Sequence, residues 1–178
     1  MKILGVDPGT IVTGYGIIEF NHNELTYVKS GLIKIPAIKD FAPRLQKIYD
    51  DLILLMKKYD PDEFALETAF YGKNVQSALK IGYARGVSLL AAAHNKLSIK
   101  EYSPREIKKS VVGNGASSKE QVQFMVKKLL NLRNIKIKFD ETDALAVAIC
   151  HAFKVATPNK KSKNWKEFIE ANPDKLIN

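Results

Sequence analysis

Three apolar stretches separated by turn residues open the chain and predict three β-strands. The first two strands cover residues 3–6 and 14–20, and the third covers residues 25–35. Pro8-Gly9 stops the first strand, and Asn21-His22-Asn23 favours a hairpin between the second and the third. The sequence therefore predicts that the fold begins with an antiparallel sheet.

Beyond residue 40 the apolar residues take helical spacing, interrupted by two short strand patterns at residues 63–67 and 98–102. Asp40 is the predicted N-cap of a helix that ends at Asp60-Pro61-Asp62. Further helices are predicted at residues 74–94, from Ser103-Pro104 to Gly113, from the capping-box pair Ser117 and Glu120 to about residue 132, and from residue 140 or 141 to about residue 155. Strands linked by helices indicate an α/β layered fold with a mixed sheet.

The charge of the chain points to a polyanionic partner. The net charge is +9, and residues 99–138 hold ten basic residues against three acidic ones. Such a concentration is typical of a nucleic-acid contact, or less often of an anionic membrane surface. Some of these lysines are expected simply to cover a solvated helical face.

Other features bound the compartment and the domain organisation. No apolar run approaches the roughly 18 residues of a membrane span, and the N-terminus lacks the pattern of a secretory signal. The single cysteine, Cys150, forms no intrachain disulfide, and this fits a cytoplasmic protein. After Pro158 the composition becomes polar and lysine-rich, so we expect one domain at residues 1–157 and a flexible basic tail at residues 158–178.

Four acidic residues stand where predicted strands end or a helix begins. Asp7 ends the first strand, and Glu67 ends the fourth. Asp140 and Asp143 share one face of the last helix through their i,i+3 spacing. If the first and fourth strands are parallel neighbours, their carboxyl ends meet at one edge of the sheet, where sites in such folds commonly form.

Four converging carboxylates require a cation, and hard divalent ions prefer oxygen ligands. Two such ions about 3.5–4 Å apart would suit phosphodiester hydrolysis. Each acid also has a structural explanation: Asp7 suits a turn, Asp140 suits an N-cap, and Asp143 complements the helix dipole. Glu67 is harder to explain in that way because its neighbours are apolar.

Four segments of the chain together resemble one known family. They are GVDPGTIVTGYGII, ALETAFYGKNVQSALKIGYARG, SPREIKKSVVGNGASSKEQVQFMV and DETDALAVAICHA. In this order and at these separations they resemble the crossover junction endodeoxyribonuclease RuvC family over about residues 1–156. The resemblance implies a ribonuclease H-like fold, a five-stranded mixed sheet flanked by helices. It also implies a structure-selective endonuclease that resolves four-way (Holliday) junctions in recombination and repair.

The resemblance further implies roles for individual residues and partners. Asp7, Glu67, Asp140 and Asp143 match the catalytic, metal-binding acids, and Phe70 matches an aromatic that stacks on bases. Lys108 and Lys119 match basic residues that face the DNA backbone. The family uses Mg²⁺ or Mn²⁺, two ions per subunit, works as a homodimer that makes paired symmetric nicks, and has RuvA and RuvB, the branch-migration proteins, as its usual partners.

Three alternatives to this function stay open at the level of sequence. The segment Asp7-Pro8-Gly9-Thr10 resembles the first phosphate loop of actin-like ATPases, but those proteins need two lobes and a much longer chain. A nonenzymatic junction-binding protein should have lost one of the four acids, and an RNA-processing nuclease of the same fold would differ in substrate.

The small residues of the helix at residues 74–94 suit a dimer contact or packing within the chain, and His151 is expected to be structural.

Overall fold

A five-stranded mixed sheet with helices on both faces forms the fold of the computed structural model, which describes residues 1–37, 40–68, 75–132 and 135–156. The strands are β1 (Lys2–Asp7), β2 (Val12–Asn21), β3 (Glu24–Lys34), β4 (Glu63–Glu67) and β5 (Ser98–Tyr102). The helices are α1 (Phe41–Tyr59), α2 (Val75–His94), α3 (Pro104–Val112), α4 (Lys119–Leu129) and α5 (Phe139–Ala156). The predicted fold class is confirmed.

The sheet has the strand order β3-β2-β1-β4-β5. β1, β2 and β3 pair antiparallel, as the hairpin pattern of the sequence predicts. β4 lies beside β1, and β5 lies beside β4, both in parallel. The carboxyl ends of β1 and β4 therefore lie next to each other at one edge of the sheet.

Alternate residues of the central strands enter two hydrophobic layers. Ile3 and Ala65 face the layer formed with α3, α4 and α5, while Leu4 and Phe64 face the layer formed with α1 and α2. Because both faces are covered, β1 and β4 are apolar along almost their whole length.

Helix α5 lies unusually close to the sheet because glycines face it. A Cβ atom at Gly5 would overlap the carbonyl oxygen of Ala144 and lie 2.7 Å from the amide nitrogen of Ala148. A Cβ atom at Gly14 would overlap the carbonyl oxygen of Asp140. From Ala144 to Ala152 every residue of α5 is buried, which explains why this segment is apolar on all sides.

A buried hydrogen-bond chain fixes the other end of α5. The Tyr102 hydroxyl lies 2.7 Å from Nδ1 of His151, and Nε2 of the same ring lies 2.8 Å from a carboxylate oxygen of Glu63. A neutral imidazole that accepts from Tyr102 and donates to Glu63 satisfies both contacts. His151 thus joins α5 to β4 and β5, the structural role expected from the sequence.

Two local predictions are wrong. The capping box of α4 consists of Ser118 and Gln121, not of Ser117 and Glu120. Ser118 has an extended backbone and accepts from the Gln121 amide, whereas the Ser117 hydroxyl donates to the Asn114 carbonyl at 2.8 Å. The same helix ends at Leu129 rather than near residue 132.

The predicted tail at residues 158–178, and with it the domain boundary, lies outside the described residues. None of the helices in the described ranges has the length and apolar character that crossing a membrane requires.

Candidate active site

The predicted acidic residues converge at the edge where β1 and β4 end. Val6 and Leu66 are register partners, so the residues that follow them, Asp7 and Glu67, leave the sheet side by side. The first turns of α5 bring Asp140 and Asp143 to the same edge, since Gly14 lets the backbone of Asp140 approach the sheet.

Distances within this cluster suit a metal site. Asp7, Asp140 and Asp143 each offer a carboxylate oxygen, and these oxygens lie within 4.8 Å of one another. Glu67 lies beside this group, close enough for the charge of Asp7 to act on its carboxyl. A cavity of about 240 Å³ opens beside Asp7, Glu67 and Asp143.

Burial and neighbouring negative charges disfavour the ionised forms of Asp7 and Glu67. Burial, followed by the negative charge of Asp143, raises the pKa of Asp7 to about 6. Burial, followed by the charge of Asp7, raises the pKa of Glu67 to about 8. A divalent cation among these oxygens would favour the ionised forms, and an all-carboxylate donor set is what hard cations prefer.

The two predicted DNA-contact lysines lie at the cavity beside the acids. Lys119, the first residue of α4, places Nζ 3.0 Å from Oδ2 of Asp143, and this hydrogen bond raises the pKa of the lysine. Lys108 of α3 lines the same cavity. The predicted stacking residue, Phe70, lies outside the described residues.

A second cavity, which Asp140 lines, was not predicted from the sequence. It has a volume of about 620 Å³, is bounded by residues 8–12, and contains the basic side chains Arg44 of α1 and Lys80 of α2. One local signal could have drawn attention to Arg44: a basic residue close to the N-terminus of a helix opposes the helix dipole. No comparable signal in the sequence pointed to Lys80.

This combination of sheet order and carboxylate placement defines a metal-dependent nuclease of the ribonuclease H-like class. The chain belongs to the crossover junction endodeoxyribonuclease RuvC family, whose model matches residues 3–151.

Curated relatives of that name cover nearly the whole chain. The protein from Cytophaga hutchinsonii is 47% identical over 174 residues, which is 98% of this chain and 87% of the relative. A relative from Dehalococcoides mccartyi is 51% identical over 159 residues, covering 89% of this chain and 95% of its own length.

Solved structures agree with the family assignment. The Thermus thermophilus RuvC structure superposes with a TM-score of 0.80 at 26% identity and covers 88% of this chain and 96% of its own. The same protein in complex with a Holliday junction substrate superposes with a TM-score of 0.81 at 27% identity, covering 87% of this chain and 94% of its own. The yeast mitochondrial Holliday junction resolvase shares the fold, with a TM-score of 0.61 at 15% identity, covering 86% of this chain and 80% of its own.

Proposed function

We propose that this protein resolves four-way DNA junctions by paired, symmetric hydrolysis of phosphodiester bonds with two divalent metal ions, Mg²⁺ or Mn²⁺. The observation that carries the proposal is the convergence of Asp7, Glu67, Asp140 and Asp143 on one edge of the sheet, with Asp7 and Glu67 held at raised pKa. The solved complex of T. thermophilus RuvC with a Holliday junction supports the choice of substrate.

The four acids are the proposed metal ligands. Two bound divalent ions would supply an activated water and stabilise the leaving 3′ oxygen. Asp7 and Glu67, on adjacent strand ends, hold one side of the site, and Asp140 and Asp143 hold the other. Because all four lie on a strand end or a buried helix, their positions are fixed before a substrate arrives.

Lys119 and Lys108 are the proposed contacts to the DNA backbone. Lys119 pairs with Asp143 at 3.0 Å. In the complex with DNA, a bound metal ion would engage Asp143. The Lys119 ammonium would then contact the phosphate and stabilise the negative charge that develops there. Phe70 is the proposed stacking residue at the junction centre, where such contacts are worth roughly 1–3 kcal/mol per base.

A homodimer is the proposed working form. Resolution needs two cuts at matching positions, and a two-fold dimer offers two identical sites to a junction that has its own two-fold axis. Helix α2 supports this assignment because it carries exposed Leu79, Tyr83 and Leu90. Gly82 and Gly86 on the same helix have open space where a side chain would be. RuvA and RuvB are the proposed partners, in the cytoplasm.

Cleavage of a labelled four-way junction with Mg²⁺, beside a linear duplex and a structured RNA of similar size, tests the activity. We expect paired nicks in the junction alone. Asp7→Asn should abolish cutting and leave junction binding intact, whereas Asp50→Asn, an exposed acid on α1, should cut normally. Preferential cutting of the RNA would favour an RNA-processing nuclease, and normal cutting by Asp7→Asn would contradict the metal site.

Mixing subunits tests the dimer. Sedimentation equilibrium should give twice the 19.9 kDa chain mass, and mixed dimers of wild-type and Asp7→Asn subunits should nick one strand without resolving the junction. A monomer that cuts both strands of the pair would contradict the dimer, even if the carboxylate site proved correct.

A further inference from the structure

The four acids line two cavities that have no lining residue in common. The first is bounded by Asp7, Glu67 and Asp143 and contains Lys108 and Lys119. The second begins at the residue after Asp7, reaches Asp140, and contains Arg44 and Lys80. A strand bound at the metal site therefore has two basic cavities beside it.

We propose that the second cavity is a phosphate-binding site that holds the cleaved strand on the side opposite Lys108 and Lys119. This inference deepens the proposed nuclease function and rests on it. Its recognition elements are the guanidinium of Arg44 and the ammonium of Lys80, which lie on two different helices and line one space.

The charge in this cavity is not neutralised within the described parts of the chain. Asp140 is the only acidic residue that lines it there, and that carboxylate is also a proposed metal ligand. Lys80 is exposed and forms no ion pair with a described residue. Two basic side chains against one carboxylate leave this cavity with a net positive charge that an anion can balance.

Arg44 is fixed in position without being paired to a carboxylate. Its Nη2 donates to the backbone carbonyl of Thr10, while its buried Nε has no hydrogen-bond acceptor among the described residues. The guanidinium carbon lies 5.8 Å from the centroid of the Phe41 ring, which in turn packs edge-on against Tyr83 at 5.6 Å. Because the guanidinium lines the cavity and has no carboxylate partner among the described residues, it can donate to a phosphate there.

The position of the cavity favours a phosphodiester of the substrate strand. Asp140 belongs to both the cavity and the carboxylate cluster. A phosphate bound in the cavity would therefore lie next to the metal site, on the same strand as the scissile phosphate. A free nucleotide presents the same phosphate chemistry, so the test includes one as a separate ligand.

Salt-dependent binding measures the number of phosphate contacts. Anisotropy titrations of a labelled junction, in EDTA and over a series of KCl concentrations, give the slope of log Kd against log salt. Each lost phosphate contact should reduce this slope by about one unit. We expect that reduction for Lys80→Gln and for Arg44→Gln, with affinity about tenfold weaker for each.

Lys47→Gln is the matched control, since Lys47 lies on α1 close to Arg44 but pairs with Asp51 at 2.7 Å outside the cavity. The control should retain the wild-type slope. If Arg44→Gln fails to fold, Lys80→Gln still decides, because Lys80 is an exposed helical residue. An unchanged slope in Lys80→Gln, or an equal loss in Lys47→Gln, would overturn the proposal.

Neutral methylphosphonate linkages locate the contact. Placed one at a time on either side of the scissile position, they should weaken wild-type binding on both sides. In Lys80→Gln the methylphosphonate should no longer weaken binding on one side of the scissile position, and in Lys108→Gln it should no longer do so on the other side. Loss of the effect on the same side in both variants would contradict two separate cavities.

Two further outcomes separate this proposal from the nuclease function. Normal junction cleavage by the wild type, together with an unchanged slope for Lys80→Gln, would reject the cavity alone. No cleavage by the wild type, with the slope still reduced, would reject the nuclease function and keep the cavity as a DNA contact.

Binding of ATP that competes with the junction and is lost in Lys80→Gln would replace the strand by a nucleotide as the ligand, which overturns the proposal.

Discussion

Replacing Asp7 by asparagine should make the metal-free protein more stable at pH 8. The variant keeps the shape of the side chain and removes a negative charge that lies beside Glu67 and Asp143. Because burial and the negative charge of Asp143 raise the pKa of Asp7, its ionised form is less stable in the folded protein than in the unfolded chain.

The size of the effect follows from the pKa change. The carboxyl has a reference value of 3.8, and folding raises its pKa to about 6. One pKa unit corresponds to about 1.4 kcal/mol, so the ionised side chain destabilises the fold by about 3 kcal/mol above pH 6. At about 2–4 °C per kcal/mol for a chain of this size, Asp7→Asn should raise Tm by about 6–12 °C.

The sign depends on pH in a defined way. Between pH 3.8 and about 6 the folded protein binds a proton that the unfolded chain has released, so stability falls as pH rises through this window. The advantage of Asp7→Asn should therefore be complete at pH 8 and absent near pH 4. Magnesium should raise the Tm of the wild type at pH 8 and raise that of the variant much less, because a ligand has been removed.

Thermal unfolding in EDTA and in Mg²⁺, at pH 4 and pH 8, measures all of these quantities. Asp50→Asn removes the same charge from an exposed position and should leave Tm nearly unchanged. A gain of equal size at both pH values would refute the electrostatic reasoning. So would an equal response to magnesium in the wild type and the variant.

Three further predictions concern the frame around the site. Gly5→Ala should lower the free energy of unfolding, measured in urea, by about 3 kcal/mol or more, because its Cβ would overlap the backbone of α5. Ser118→Ala should cost about 1 kcal/mol in the same assay, and Ser118→Asp should restore it, since the hydroxyl caps α4. Burial lowers the pKa of His151 from 6.5, so the stability that His151 gives is complete above pH 6.5 and is lost as pH falls through the lowered value. His151→Gln should therefore reduce the loss of stability at acidic pH in unfolding measurements, and His22→Gln, at an exposed residue, should not.

The acidic cluster could be predicted because it depends on chain order and strand direction. Asp7 and Glu67 end strands that pair in parallel, and parallel neighbours bring their carboxyl ends together. Asp140 and Asp143 share a helix face through spacing alone. Their pKa values could not be predicted, since these depend on burial and on distances between elements far apart in the chain.

The cavity of Arg44 and Lys80 escaped prediction for the same physical reason. The two residues lie on different helices, and their approach depends on how α1 and α2 pack beside residues 8–12. The predicted capping pair of α4 was wrong by one residue. Ser117 and Ser118 each have a partner of capping type three residues later, and only the structure shows that the helix begins after Ser118, whose hydroxyl accepts from the Gln121 amide.

The arrangement of α5 explains how the fold tolerates a cluster of mutually repelling acids. One end of the helix is held against the sheet by contacts at Gly5 and Gly14, and the other is joined to the strands through His151. Because buried packing fixes the helix along its length, repulsion among the carboxylates cannot be relieved by moving Asp143 away from Asp7. Protonation, the ion pair with Lys119 and a bound cation are the remaining ways to lower the charge. The rigidity of α5 thus makes the affinity for a divalent ion depend on pH, and a change that loosens α5, such as Gly5→Ala, should weaken that dependence along with the stability of the core.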